Sequence, residues 1–487
     1  MLENITISAT YTWCQFCPAF ALVILAGLIL LADTFLPKLP KRSFALVAAF
    51  GALAVACTLI TGEHMNAFGF LATIATALSL LLAFDYSKIS CASIAGKSEE
   101  GTGEFYALPL VACAGILCLT QARDLIMLFV SLEVITLTSY VLAGYFRRNR
   151  GSIEAGIKYL ILGAMSTGLL VFGAAWYFGM SGSFCLSTEV IVHSLNGGAA
   201  GSPAIAMGFL MAIALLFTGA FFKIGAAPMH IWIPDVYQGA PTPTTAFLAV
   251  ASKTAGFALL MLLIAPLTPV IHPGYHGAYG IVTAMAVVTA ATLLIGNLGA
   301  IGQTNAKRLL GYSSIGQAGF ILVFFLNPNA ATALFVCKYL LAYLLATLAG
   351  FFAIALVRTQ RGSEEISAFR GLGTTNPRLA FLITVVFASL AGVPLTYGFI
   401  VKMLTFVCLV DAIPSWGILA WLLPVMVVCA AAGFYYYFKV IRAMYWEKPL
   451  PEDKPLCLPV CTGSVLTACT LAIIILGTLP LVVNAMR

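Results

Sequence analysis

The sequence predicts an all-α polytopic membrane protein of about fourteen transmembrane helices, with two inverted five-helix repeats whose helices 7 and 12 are broken by proline. Three observations predict it: the composition, a series of apolar runs of membrane-spanning length, and the placement of Lys and Arg. Of 487 residues, 61% are hydrophobic and 9% charged, and mean hydropathy is +1.02. A soluble domain carries about 25% charged residues because its surface must face water. A chain so poor in charge has lipid as its main solvent. The net charge of +7 forms no basic stripe with interleaved aromatics, so it does not point to nucleic acid. The positive residues sit in short segments between apolar runs.

The first apolar run, 16–36, follows a terminus with Glu3 and no Lys or Arg before Lys38. It lacks the basic n-region of a signal peptide and reads as a retained helix. Further runs of roughly 20 residues, the length that crosses about 30 Å of hydrocarbon, follow at 43–62, 66–86, 105–122, 124–146, 153–180, 205–233, 242–266, 277–300, 304–326, 329–357, 376–411, 414–444 and 463–485. The seventh and twelfth contain prolines. The chain reads as one membrane domain: helices 1–3 within 1–104, a first repeat over 105–266, a second over 277–444, and a final helix at 463–485. An offset of five helices between repeats makes them inverted in the membrane. The longest polar connections, about 87–104, 181–204 and 359–375, are too short to fold alone.

Sorting the Lys and Arg gives an orientation. With the N-terminus outside, the inside loops hold Lys38, Lys41, Arg42, Lys88, Lys97, Arg147, Arg148, Arg150, Lys307, Arg308, Arg358, Arg361, Arg370, Arg378, Lys439, Arg442, Lys448 and Lys454. The outside holds Arg123 and Arg487. This asymmetry predicts an even number of crossings with both termini on the outer side. Five lysines, Lys158, Lys223, Lys253, Lys338 and Lys402, fall within helices instead.

A charge at the bilayer centre costs roughly 2.5–3.5 kcal/mol on insertion scales, so it normally has a function. Glu133 lies mid-helix in LFVSLEVITLTSY, Lys223 in LLFTGAFFKIGAAPMHIW, Lys253 in AFLAVASKTAGFALL and Lys402 in SLAGVPLTYGFIVKMLTF. They could be ion pairs that tie helices together, but one acid cannot pair three lysines. Desolvation disfavours the charged form of an unpaired lysine, so such a residue can switch between charged and neutral and carry a proton. Glu154 and Lys158, one turn apart, read equally as a local salt bridge or as part of a proton path. Lys338 begins its helix near the outside end and reads as a snorkelling side chain. His230 follows Lys223 by seven residues, with Pro228 between them and Pro234 beyond. Pro394 precedes Lys402 in the same manner. Helices broken beside titratable groups mark ion sites in transporters.

The 13 cysteines are scattered. Cys14 and Cys17 form a CxxC, and Cys457 and Cys461 lie one turn apart, but no partner set completes a metal site. They read as small apolar residues. The sequence shows no P-loop, GxGxxG after a strand, HExxH or Cys ligand set. A conductor, rather than a chain carrying its own redox chemistry, is expected.

At WIPDVYQGAPTPTTAFLAVASK (232–253), QTNAKRLLGYSSIGQ (303–317) and SLAGVPLTYGFIVK (389–402), the chain resembles the antiporter-like membrane subunits of respiratory complex I, the proton-translocating NADH:quinone oxidoreductase. The YQGAP string and a lysine at 402 place the resemblance on the N-type branch; M-type relatives are expected to carry a glutamate there. The chain ends soon after its last apolar run, so it is expected to lack the lateral helix of L-type relatives. The match runs over roughly 100–445.

The resemblance implies that Glu133 pairs with Lys223 and that Lys253 and Lys402 continue the row. It further implies that His230, Glu154 and Lys158 are proton-path elements. It implies no cofactor on this chain, with NADH, FMN, iron–sulfur clusters and quinone in partner subunits. The partners would be the antiporter-like subunit M and small subunits such as K, J and A, in a bacterial inner membrane. One position departs: the histidine often found in the SSI-x-H string is Gln317 here, which can hold a water but cannot accept a proton near neutral pH. A cation/proton antiporter or membrane-bound hydrogenase subunit shares these features. A stand-alone solute transporter would instead need one polar cavity, whereas the polar residues here are strung in a row.

Overall fold

In lipid every backbone N–H and C=O must be satisfied within the protein, which leaves helices as the means by which such apolar runs can be built. The computed structural model describes residues 13–36, 38–61, 66–93, 103–197, 203–274, 278–449 and 455–485. Lys97, Lys454 and Arg487 of the orientation argument lie outside them. The described residues form helices α1 (Trp13–Phe35), α2 (Ser43–Thr61), α3 (Ala67–Ser93), α4 (Gly103–Leu119), α5 (Leu125–Ala143), α6 (Arg150–Ser181), α7 (Thr188–Leu195), α8 (Pro203–Ile224) and α9 (Trp232–Gly239). There follow α10 (Thr242–Leu267), α11 (Ala278–Ile301), α12 (Ala306–Phe325), α13 (Thr332–Arg361), α14 (Pro377–Ala391), α15 (Tyr397–Ala412), α16 (Leu422–Trp446) and α17 (Val460–Ala485).

Among the described residues, 12 helices are long and apolar enough to cross a membrane, and α4 and α14 are shorter apolar helices. Each apolar run read from the sequence coincides with one helix or with a broken pair. The third runs on to Ser93, seven residues further than its hydropathy suggests. The connection at 181–204 holds α7, which the sequence reading did not foresee. Its N-cap Ser187 accepts a hydrogen bond from Val190 N, the usual means of satisfying a free helix-terminal donor.

Burial sorts the helices into rings. In α10, α12 and α13, 89% of the best spanning window is buried inside the protein, against 22–28% in α1, α6 and α16. Helices apolar on every side belong in a core, and these three carry Lys253, Ser314, Gln317 and Tyr339. The peripheral helices turn Ile24, Phe50, Ile161 and Trp446 outward, as expected when lipid is the solvent. A smaller apolar cluster joins α1, α2 and α4 to one face of α3, while α3 also packs on α13 and α17. Asp85 of α3 caps α17 by accepting from Thr462 N at 2.9 Å.

Two prolines mark breaks, but glycines make the turns. α8 ends at Ile224, Gly225 takes φ 75°, and the chain resumes as α9. α14 ends at Ala391, Gly392 takes φ 86°, and α15 follows. Between α11 and α12, Gly296 lies on Gly316 so closely that a Cβ on Gly296 would collide with the Gly316 backbone. Small residues at such a crossing let two helices approach in lipid. Replacing Gly316 by Leu is therefore expected to cost about 1–3 kcal/mol through overpacking. It should lower the thermal unfolding midpoint in detergent, whereas Gly302→Ala, with open space around it, should leave the midpoint in place.

Candidate functional site: a row of buried lysines

Three lysines are held at depth: Lys223 is 3% exposed, Lys253 2% and Lys402 7%. Lys223 occupies the last turn of α8, at the first break. Its Nζ has no hydrogen-bond partner among the described groups. Glu133, on α5, does not touch it; its carboxylate accepts instead from Thr167 of α6 at 3.0 Å and from Thr136 at 3.4 Å. Glu133 and Lys223 thus stand on different helices with no direct ion pair between them among the described residues.

The first break is stapled from both sides. Trp232 of α9 donates to the Phe222 carbonyl at 3.0 Å and stacks on Tyr159 of α6, with ring centroids 4.5 Å apart. Ala227 N donates to Thr292 Oγ1 at 2.9 Å. Backbone groups freed by the break are satisfied in this way, as membrane depth requires. His230 lies in the same connection with its Nδ1 buried and lacking a hydrogen-bond partner. Because α8 stops at Ile224, the helical register that would stack His230 over Lys223 is lost, and no hydrogen bond joins them among the described residues.

Lys253 follows directly on a π-helical turn, Leu248–Ser252, inside α10. Such bulges frequently accompany functional sites, because the extra residue re-aims the side chains beyond it. Its Nζ donates to the Ser314 carbonyl of α12 at 2.6 Å and lies 5.5 Å from the ring centre of Tyr343 on α13. Lys402, on α15, donates to the carbonyls of Leu390 and Ala391 at 2.7 and 2.9 Å. These are the terminal carbonyls of α14, where the helix dipole favours a cation. Gly392 leaves the room: a Cβ there would press on Lys402 Cδ.

Gln317 sits beside the second of these lysines. One turn beyond Ser314 on α12, it donates to the same Leu390 carbonyl at 3.2 Å and to Tyr437 Oη at 3.2 Å. It also accepts from Tyr339 Oη. A cavity of about 10 Å³ lined by Gln317, Tyr343 and Lys402 has room for about one water. The glutamine expected to interrupt the row thus sits inside a hydrogen-bonded chain from α12 to Lys402. Sequence reasoning missed Tyr339, Tyr343, Ser314 and Tyr437, because tyrosine and serine within an apolar run read as packing residues.

At the Lys- and Arg-rich end of the bundle a polar vestibule of about 370 Å³ opens between α6, α9, α12 and α13. Lys158 bridges Glu154 and Asp235, each at 2.7 Å, so the expected pair is present but extended to a third member. Asp235 also meets Arg308 at 2.6 Å. Burial pushes the Asp235 carboxyl up, but hydrogen bonds from Lys158 and Arg308 outweigh it and hold the group below the usual carboxylate range. The placing of Lys307 and Arg308 among solvated loop charges needs correction. Both belong to α12, and Lys307 is wholly buried. Arg358 and Arg361 likewise close α13, Arg378 lies in α14, and Lys439 and Arg442 lie in α16. Lys338 is exposed, one and a half turns into α13.

Residues 122–427 match the family profile described as NADH:quinone oxidoreductase/Mrp antiporter, transmembrane. The chain is 39% identical over 408 residues to NADH-quinone oxidoreductase subunit N 2 of Herpetosiphon aurantiacus, covering 79% of this chain and 73% of that protein. It is 36% identical to NADH-quinone oxidoreductase subunit N 1 of Opitutus terrae, covering 95% and 94%. A chain of respiratory complex I from Thermus thermophilus, solved with bound aureothin, superposes with a TM-score of 0.75 at 29% identity over 95% of this chain and 97% of that one.

Replacing Gln317 by Leu would remove a partner from Tyr339 Oη, at a cost of about 1–3 kcal/mol for a buried polar group left unsatisfied. The expected result is a lowered unfolding midpoint of the purified protein in detergent, with Gln317→His restoring most of it.

Proposed function

Since the chain belongs to the NADH:quinone oxidoreductase/Mrp antiporter family, in its subunit N branch, we propose that its row of buried lysines is one proton channel of an NADH-oxidising, quinone-reducing membrane complex. The protein is an antiporter-like, proton-translocating membrane subunit of that enzyme. The subunit N relatives align over most of the chain, which supports this reading over a cation/proton antiporter subunit.

The observation that carries the proposal is the kind of acceptor given to two of the lysines, which leaves each ammonium free to lose its proton. Lys253 and Lys402 are held by neutral carbonyls rather than by acids that would lock them charged. Redox energy released in partner subunits changes the electrostatics at Glu133 and Lys223. Moving the two further apart removes the field that favours the charged lysine, and its proton passes toward Lys253. Lys253 then hands a proton along the Gln317 segment to Lys402, which releases it on the far side. Gln317 bears no charge in this scheme; it orients a water and keeps Tyr339 and the Leu390 carbonyl in line. Glu154 and Lys158 lie beside the uptake side, and His230 flanks the first break.

The proposal includes both termini on the outer face, two inverted repeats each holding one broken helix, and cofactors (NADH, FMN, iron–sulfur clusters and quinone) bound by partner subunits. An antiporter-like M-type neighbour and small K-, J- and A-type subunits are the proposed contacts within a bacterial inner membrane. The two breaks support the repeat reading, since each ends a helix at a left-handed glycine and has a row lysine beside it. Glu133→Ala and Lys223→Ala are each expected to abolish NADH-driven acidification in membrane vesicles while leaving the complex assembled. Full pumping in both would refute the role of the pair.

A further inference from the structure

Lys307 stands outside the row, yet it is as deeply buried as any member: its exposure is 0%. It lies in the first turn of α12, beneath the vestibule. Its Nζ meets Glu364 Oε1 at 3.0 Å and donates to the Ala240 carbonyl at 2.8 Å. Glu364 lines the vestibule, and the same oxygen, Oε1, also accepts from Arg358. One carboxylate therefore faces the vestibule and a buried ammonium at once.

The pair is not needed to fasten the connection that follows α13. That connection is tied to α12 through the backbone, by Ala306 N to Glu364 O at 2.9 Å and Ile366 N to Thr304 O at 2.8 Å. Exchanging a buried ion pair for apolar residues is often neutral or stabilising, so anchoring alone does not account for two charges here. The vestibule does not suit an anion either, because Arg308 and Arg358 are matched there by Glu154, Asp235 and Glu364.

What lies inward of Lys307 gives the pair a use. Seven residues on, along the same face of α12, is Ser314, whose carbonyl holds Lys253. Beside Ser314 lies Tyr237, and the Tyr237 hydroxyl and Ser314 Oγ are both buried. Two hydroxyls side by side between two lysines mark a place where protons can be handed on.

We propose that Glu364 and Lys307 form the port by which protons leave the vestibule for Lys253. Lys307 gives a proton inward, over Tyr237 and Ser314, to a neutral Lys253. Glu364, protonated from vestibule water, then returns a proton to Lys307 and becomes a carboxylate again, so both groups end as they began. The port rests on the reading of Lys253 as a proton carrier.

The test uses the assembled complex, with NADH-driven acidification measured in proteoliposomes and NADH:quinone turnover measured in detergent. Glu364→Gln and Lys307→Met are expected to lower acidification at least ~10-fold, the lower range for loss of a positioned proton-transfer group, while Glu364→Asp keeps most of it. In Glu364→Ala, formate small enough for the vestibule should restore acidification, which loss of a mere anchor would not allow. Full pumping in Glu364→Gln, or a Glu364→Ala defect that formate leaves unchanged, overturns the port. Lys253→Ala separates the two ideas: if that variant pumps fully, the row itself fails; if it is inactive while Glu364→Gln is normal, the port alone fails.

Discussion

The structure depends on how an ammonium group is kept at membrane depth. A lysine in hydrocarbon is costly unless it is paired or solvated, and an acid partner would repay the cost by fixing the charge. Here Lys253 and Lys402 are given main-chain carbonyls instead. A carbonyl dipole stabilises the cation less than a carboxylate does and needs no counter-proton. The neutral and charged forms are thereby brought closer in energy, which is what a carrier requires. Ser314 lends its carbonyl from within α12, whereas α14 is interrupted where Lys402 reaches its last two carbonyls.

That demand explains other features of the fold. A broken helix in lipid leaves backbone groups that must be satisfied locally, so each break is enclosed. Trp232, Thr292 and Tyr159 close the first; Gln317, Lys402 and Ser389 Oγ, which accepts from Gly398 N at 3.3 Å, close the second. The most enclosed helices, α10, α12 and α13, lie between the breaks and carry the polar groups that link them. α12 is the common element, with Lys307, Ser314 and Gln317 spaced along it from the vestibule to the second break. Where a family histidine often stands, Gln317 keeps the hydrogen bonds and gives up the titratable group.

Much of this was legible in the sequence, for a physical reason. Apolar runs of fixed length and lone charges inside them are properties of single helices, so the apolar helices and the positions of Glu133, Lys223, Lys253 and Lys402 within them could be read from one chain. The breaks were legible from Pro228 and Pro394, although the turns themselves fall on Gly225 and Gly392. What escaped was what several elements make together. Asp235, Lys307, Arg308 and Glu364 stand at the ends of apolar runs, where composition treats charge as solvated; only packing shows that Lys307 is buried and Asp235 shared by two cations. Tyr237, Tyr339 and Tyr437 count as apolar in any hydropathy profile, and their hydroxyls gain meaning only when α9, α12, α13 and α16 converge. The separation of Glu133 from Lys223 was illegible for the same reason, since Thr167 comes from a third helix.

The central claim is that carbonyl-held lysines, and not fixed ion pairs, carry protons through this chain. Its most direct test is the number of protons moved per NADH oxidised by the assembled complex in proteoliposomes when Lys402 is replaced by Met, which keeps the length and loses the exchangeable proton. The account predicts a lower ratio with the complex intact. An unchanged ratio would contradict it.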